Sequence, residues 1–188
     1  MDHSKFKNIY LITGPQGVGK KEIVAKLPSL IKFHQIIPTT TRPKEKGEIP
    51  DKNFHFISWQ DFQKQLDNKK FLTCFFSQGN HFGVTQKEFD KAAQSKLPVI
   101  WNINYDQALN IKNQFPGTTI IFITAPLTEI RKRLITQGII SENIVNKKLL
   151  DAKKEIDLAP AQTDHLIVFN QQEQAKALSQ IAEIIRKN

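Results

Sequence analysis

The sequence predicts an α/β fold in which helices cover a mainly parallel sheet and a smaller segment is inserted between the first part of the sheet and the rest. Three observations predict it. Short apolar runs alternate with helical patterns, a glycine-rich turn joins the first run to the first helix, and residues 35–84 break the alternation. Strands separated by helices form right-handed βαβ units. A chain of 188 residues is long enough for one such domain with a sizeable core.

The core strands are predicted from runs that are apolar almost throughout. This composition is typical of a strand buried on both faces of a parallel sheet, because helices then cover both sides. The runs are NIYLIT (8–13), LPVIWNIN (97–104), TTIIFIT (118–124) and HLIVF (165–169).

The helices are predicted from apolar residues at helical spacing and from capping residues at their starts. The last helix places Leu178, Ile181 and Ile185 on one stripe. The predicted helices cover residues 85–96 after Thr85, 127–135 after Pro126, 141–156 from Ser141, and about 171–186.

Residues 35–84 predict a small, partly antiparallel subdomain. HFIS and FLTCFFS have strand patterns, a helix capped by Ser58 lies between them, and Gly79 and Gly83 bracket a turn. Within FLTCFFS we expect the phenylalanines 71, 75 and 76 to fill the subdomain core and Cys74 to be a buried small hydrophobe. The predicted organisation of the single domain is a core of residues 1–34 and 85–188, the insertion at about 35–84, and a lid at about 135–148.

The composition favours a cytoplasmic protein. The chain has a single cysteine, no apolar run near the roughly 20 residues that span a bilayer, and no secretory pattern at its start. The net charge of +9 suits either a nucleic-acid or membrane-surface protein or an enzyme for polyanionic nucleotides. The lysines are scattered and form no tract with aromatics, so we expect neither direct nucleic-acid recognition nor membrane binding.

The stretch GPQGVGKK, residues 14–21, fits the pattern G-x-x-x-x-G-K between a buried strand and a helix. Such a turn points successive backbone N–H groups inward as a nest for phosphate oxygens, and Lys20 would reach the β- and γ-phosphates. Lys21 stands where a serine or threonine hydroxyl normally faces Mg²⁺. The alternative is a glycine-rich turn with a surface lysine.

The segment TTTRPKEKGEIPDKNFHF, residues 39–56, makes a family resemblance specific. Together with the loop, the later GNHFG and the RKRL of the lid helix, it resembles guanylate kinase over almost the whole chain. The resemblance implies a three-layer P-loop nucleoside-monophosphate kinase fold with a parallel core sheet, an inserted acceptor-binding subdomain and a short lid.

The resemblance also implies a donor site for ATP with Mg²⁺. Lys20 and Arg133 would stabilise the transferred phosphoryl group and Lys148 would assist, while Gln137 stands where a second lid arginine is expected. Mg²⁺ would be held through water and phosphate, without direct side-chain ligation. The implied ATP-binding residues are Gly14, Pro15, Gln16, Gly17, Val18, Gly19, Lys20 and Lys21.

The implied acceptor site departs from the family pattern at its phosphate-binding end. Arg42 and Glu48 match, but Glu45 stands where an arginine is expected, and Phe54 and Phe82 replace tyrosines. A carboxylate here would face the acceptor phosphate unless a neighbouring lysine takes over.

The positions that would read guanine depart further. Acceptors are exchanged for Pro38, Thr73 and Val84, and Asn102 and Asn104 replace two aspartates. Each lost hydrogen bond to a charged group removes roughly 1.5–3 kcal/mol, so losing two or three weakens guanine binding about 10³-fold or more. Asn104 has a second interpretation as the cap of the helix that follows it.

The function implied is ATP-dependent phosphoryl transfer to a small phosphorylated acceptor, nominally GMP to GDP. One alternative is a kinase for another acceptor, such as the related family that phosphorylates ribose 1,5-bisphosphate. The other is a non-catalytic nucleotide-binding or scaffold protein, although the retained loop favours nucleotide binding. The expected partners are a nucleotide and a small phosphorylated substrate, and the sequence says nothing about oligomeric state.

Overall fold

A computed structural model describes residues 6–77, 79–138, 141–169 and 174–187. The chain divides into two compact units, one of Met1–Phe33 with Ile100–Asn188 and the other of His34–Val99. The strands are β1 (Ile9–Thr13), β2 (His34–Gln35), β3 (Thr39–Thr40), β4 (His55–Phe56), β5 (Phe71–Ser77), β6 (Asn80–Thr85), β7 (Val99–Asn102), β8 (Thr119–Thr124) and β9 (His165–Val168). The helices are α1 (Lys20–Lys26), α2 (Trp59–Asp67), α3 (Gln86–Ala93), α4 (Tyr105–Gln114), α5 (Leu127–Thr136), α6 (Glu142–Gln162) and α7 (Gln174–Lys187).

The first unit is built on a sheet in which β7, β1, β8 and β9 follow one another in that order. The pairs β1–β8 and β8–β9 are parallel, with Ile12 opposite Ile121 and Ile123 opposite Ile167. All of β1 is buried, as expected for a strand with helices on both faces. The prediction of an α/β fold with a parallel core sheet is confirmed, and the carboxyl ends of these strands share one edge.

Most predicted helices of the first unit end close to their predicted bounds, but α6 is longer. It continues to Gln162 and contains Pro160, whereas the sequence predicted an end at residue 156. Its buried residues Val145, Ala152 and Ala159 recur every seven positions, so the apolar stripe extends beyond the predicted end and holds the last turn on the core. The predicted start of α7 at residue 171 lies outside the described residues, as do residues 139 and 140 of the predicted lid.

The second unit contains a mixed sheet in the order β4, β3, β6, β5. Strands β3 and β4 are parallel, whereas β6 is antiparallel to both β3 and β5. Ser58 caps α2 by accepting a hydrogen bond from the Asp61 N–H at 3.1 Å, and Thr85 caps α3 in the same way. These caps bear out two helix starts that the sequence predicted.

Three predictions about this unit are wrong. Gly83 lies inside β6 and does not bracket a turn. Glycine is needed at this position because a Cβ would lie 2.7 Å from the Phe71 ring that packs over it. Cys74 is exposed, and Phe76 is 64% exposed. Side chains of a strand alternate between faces, so Cys74 and Phe76 share the open face of β5 while Phe71 stacks on buried Phe62 at 4.4 Å.

None of the helices in the described part of the chain combines the length and the apolar character that crossing a membrane requires.

Candidate active site

The glycine-rich turn follows β1 directly, and three of its residues need glycine. Gly14, Gly17 and Gly19 have φ values of 136°, 85° and 105°. A Cβ at Gly14 would lie 2.1 Å from the Ile123 carbonyl oxygen, and one at Gly19 would lie 2.4 Å from Arg133 Nη1. The turn therefore packs closely on β8 and on α5, and no side chain fits at either end of it.

Lys20 begins α1 and folds back over the turn. Its ammonium donates to the Gly14 carbonyl oxygen and, at 2.9 Å, to the Pro15 carbonyl oxygen. Burial lowers the pKa of Lys20 from 10.5 to about 8, and Glu155 partly opposes this shift. In this position the lysine is a desolvated cation whose hydrogen bonds go to main-chain carbonyls, so an incoming phosphate would offer it a better partner.

Arg133 reaches the turn from α5, as the sequence predicted, but its guanidinium is already engaged. Nη1 donates to the Val18 carbonyl oxygen at 3.0 Å, and the guanidinium lies over the Phe169 ring at 4.7 Å from its centroid. Phe169 was not singled out from the sequence, and only its place at the end of a core strand pointed to it. The arginine braces the phosphate loop in this structure.

Lys148 also meets the turn. Its ammonium donates to the side-chain oxygen of Gln16 at 2.5 Å, which brings the second predicted lid cation from α6 to the middle of the loop. On the opposite flank a cavity of about 360 Å³ is lined by Gly19, Lys21, Arg133 and Gln137, among others. The predicted donor residues thus converge on one loop and one adjoining cavity large enough for part of a nucleotide.

Glu155 lies near Lys20, and the sequence did not single it out. Its Oε2 atom is buried and has no hydrogen-bond partner among the described residues. Burial raises its pKa from 4.5 to about 7, Lys20 acts in the opposite direction, and Asp106 and Asp151 add to the rise. The available signal was its position on α6 seven residues after Lys148, which puts both on one helix face.

The polar end of β7 is divided between two roles. Asn104 caps α4, because its Oδ1 accepts a hydrogen bond from the Gln107 N–H at 3.0 Å. Asn102 is the last residue of β7 and is half-buried at the carboxyl edge of the sheet. Of the two predicted acceptor asparagines, Asn104 therefore has its side-chain oxygen engaged by the backbone.

Arg42, in the second unit, is held by two carboxylates. Its Nη2 lies 2.8 and 2.9 Å from the two Glu48 oxygens, and its Nη1 lies 3.0 Å from Glu45 Oε1. The guanidinium also lies 5.4 Å from the centroid of the Phe54 ring. One positive charge thus faces two negative charges at the residue predicted to hold the acceptor phosphate.

The other predicted acceptor residues of this unit lie on the same mixed sheet. Phe82 packs edge-on against Phe54 at 6.1 Å, and Thr73 is paired with buried Val84 across β5 and β6. The structure brings these positions together, and their side chains are mostly apolar. Among the described residues no group of three or more histidine, cysteine or acidic side chains is placed to hold a metal ion.

Comparisons with known proteins agree with this geometry. The sequence model of the family described as guanylate kinase matches residues 6–188. The guanylate kinase of Sulfurimonas denitrificans is 32% identical over 190 residues, covering 99% of this chain and 91% of the relative. That of Wolinella succinogenes is 33% identical over 152 residues, covering 79% and 70%. The crystal structure of guanylate kinase from Anaplasma phagocytophilum superposes with a TM-score of 0.73 at 22% identity, over 95% of this chain and 84% of that one, which shows a shared fold.

Proposed function

Because the chain belongs to the guanylate kinase family, we propose that it transfers the γ-phosphoryl group of ATP to a small phosphorylated acceptor, nominally GMP. The observation that carries the proposal is the loop of residues 14–21. Its three glycines have the positive φ values of a tight turn, and Lys20, Arg133 and Lys148 gather around it. Location in the cytoplasm is part of the same proposal.

On the donor side the chain supplies positive charge and orientation. The backbone N–H groups of the turn would receive phosphate oxygens, and Lys20 would exchange its two carbonyl acceptors for the β- and γ-phosphates. Lys148 would extend from Gln16 toward the transferred group, while Arg133 keeps the loop against Phe169. Phosphoryl transfer needs little more than positioning and charge neutralisation, with no covalent intermediate.

Residues of this chain fit ATP better than they fit a metal ion. The positive φ values of Gly14, Gly17 and Gly19 are typical of a turn that receives phosphate, whereas Lys21 takes the place of a hydroxyl ligand. Bound Mg²⁺ would neutralise charge on the phosphates, and it would be held by phosphate oxygens and water.

On the acceptor side we propose that Arg42 and Glu48 orient the acceptor, with Phe54, Thr73 and Phe82 beside them in the second unit. Asn102 and Asn104 of the first unit remain predicted acceptor-binding residues. Arg42 offers less positive charge than a lone arginine because Glu48 and Glu45 both contact it. This observation favours the second candidate, a kinase for an acceptor other than GMP. Such an acceptor would be a sugar phosphate or another nucleotide.

A panel of acceptors tests the proposed function. We expect ADP release from ATP to depend on a phosphorylated acceptor, in a coupled assay with nucleoside monophosphates and sugar phosphates including ribose 1,5-bisphosphate. The Lys20→Ala variant should release ADP at least about 10²-fold more slowly with each of them. Tight ATP binding without acceptor-dependent ADP release would support the non-catalytic alternative instead.

The Lys21→Ser variant should bind Mg²⁺ more tightly in the presence of ATP. A hydroxyl at this position restores one interaction of about 1 kcal/mol, which lowers the Mg²⁺ concentration at half-maximal rate by about fivefold. A Mg²⁺ titration at fixed ATP measures this, with Lys26→Ser as the control because it removes the same charge from the far end of α1. An unchanged titration for Lys21→Ser would mean that position 21 plays no part in holding the metal.

A further inference from the structure

Glu155 is a partly buried titratable group that the proposed phosphoryl transfer does not use. Its Oε2 atom is fully enclosed, and no described residue supplies it with a hydrogen bond. A carboxylate in such a place is costly unless a positive charge lies nearby. The charged form of Glu155 is therefore favoured only beside a positive charge.

The path of α6 places Glu155 behind the phosphate loop. Lys148 on this helix contacts Gln16 of the loop, and Ala152, one turn later, belongs to the same buried cluster as Val18. Glu155 follows on the same face. Further along the helix, the Tyr105 hydroxyl donates to Gln162 at 2.6 Å, so Glu155 lies between the loop and the start of α4.

Charged groups from three helices act on Glu155. Lys20 from α1 acts on it with positive charge, while Asp106 from α4 and Asp151 from α6 add negative charge. Burial raises the pKa of the Tyr105 hydroxyl, and the negative charge of Glu155 adds to the rise. Within the described residues, Lys20 in turn donates to main-chain carbonyls, and Glu155 is the acidic group whose charge acts on it.

We propose that Glu155 is a positioning residue for Lys20: its buried carboxylate stabilises the charged ammonium behind the loop, ready to meet the ATP phosphates. It acts through Lys20 and does not touch the nucleotide. The role in catalysis rests on the proposed function, whereas the pairing of the two side chains does not.

The pH dependence follows from the two groups together. Lys20 carries its proton below its pKa of about 8, and Glu155 loses its proton above its pKa of about 7, so both are charged between these values. Without the Glu155 carboxylate, burial acts unopposed and the pKa of Lys20 falls further. The alkaline loss of ATP binding then moves to lower pH.

The test is a titration of Lys20 in the nucleotide-free protein, by NMR of the isotope-labelled lysine side chains with Lys20→Arg for assignment. We expect Glu155→Gln to lower the midpoint of the Lys20 titration by roughly one unit. The charged fraction of Lys20 at pH 8 then falls about fivefold, and the affinity for ATP at that pH falls with it. At pH 6.5 the two proteins should bind ATP alike. Asp157→Asn is the control, because Asp157 lies on α6 and is an exposed partner of Lys153.

An unchanged Lys20 midpoint in Glu155→Gln would overturn the proposal. If that variant does not fold, Glu155→Asp serves instead. It keeps the negative charge but moves the carboxylate away from the loop by one methylene, so the Lys20 midpoint should stay near that of the parent. A Lys20 midpoint in Glu155→Asp that lies roughly one unit below that of the parent would also contradict the proposal, because the retained charge would then have no effect on Lys20. Failure of the parent to bind ATP would refute the proposed function and leave the Lys20 titration to decide the pairing.

Discussion

Replacing Lys20 by alanine should weaken ATP binding by about 10²-fold to 10⁴-fold. The ammonium is expected to make two charge-assisted hydrogen bonds to phosphate, each contributing roughly 1.5–3 kcal/mol, and the sum converts to that range. Calorimetry measures the affinity. The acceptor-dependent rate should fall at least as far, because the same charge stabilises the transferred group.

The fold of the variant should survive, since the removed group is a desolvated cation with a lowered pKa and not part of the apolar core. At pH 6, where Glu155 is protonated and needs no cation beside it, the thermal midpoint of the variant should not fall below that of the parent. Lys26→Ala is the matched control, because Lys26 is an exposed lysine at the other end of α1. Equal ATP affinity in Lys20→Ala and the parent would remove the phosphate loop from the proposed mechanism.

GMP should be a poor acceptor, with kcat/KM below the lower end of the usual enzyme range of about 10⁴–10⁸ M⁻¹s⁻¹. Arg42 is shared between Glu48 and Glu45, so a phosphate dianion arriving there meets two carboxylates and one guanidinium. Phe54 and Phe82 offer no hydroxyl donors, and the Thr73–Val84 pair offers little to the N1–H and 2-amino group of guanine.

The Glu45→Arg variant should raise kcat/KM for GMP by about tenfold to 10²-fold. It removes one repulsive charge and adds a donor, and a charged hydrogen bond contributes roughly 1.5–3 kcal/mol. Steady-state kinetics with saturating ATP measures the change, and the gain should appear mainly in KM. Asp51→Arg is the control, because it makes the same charge change at an exposed partner of His55. Robust GMP turnover by the parent would contradict the expectation that GMP is a poor acceptor. If Glu45→Arg gains no more in kcat/KM than Asp51→Arg does, Glu45 does not oppose the acceptor phosphate.

The sequence predicted those parts of the fold that depend on neighbours along the chain. Apolar runs located β1 and β8, and the hydroxyls of Ser58 and Thr85 marked helix starts, because burial pattern and capping are local properties. It did not predict that Gly83 lies inside a strand. What requires glycine there is the Phe71 ring on the neighbouring strand, and that contact is not a local property of the sequence.

The candidate site shows the same division. The loop glycines and Lys20 are adjacent in sequence and were predicted together. The partners that determine how these cations behave come from far along the chain: Phe169 lies under Arg133, and Glu155 acts on Lys20. Such pairs depend on how helices pack on the sheet. The sequence alone does not give the distance between the two members of each pair.

Gly14 has a consequence for how sequences of this kind diverge. Its missing side chain leaves room for the Ile123 carbonyl, so the sheet requires glycine there whether or not a nucleotide ever binds. Lys20 is under no such demand, because its ammonium bonds to the carbonyls of the turn, where we propose that it meets phosphate, and takes no part in the packing of the strands. A descendant released from selection for ATP binding would therefore lose the lysine and keep the glycine. Among such descendants, the residue at position 20 separates those that still bind nucleotide from those that only inherit the loop.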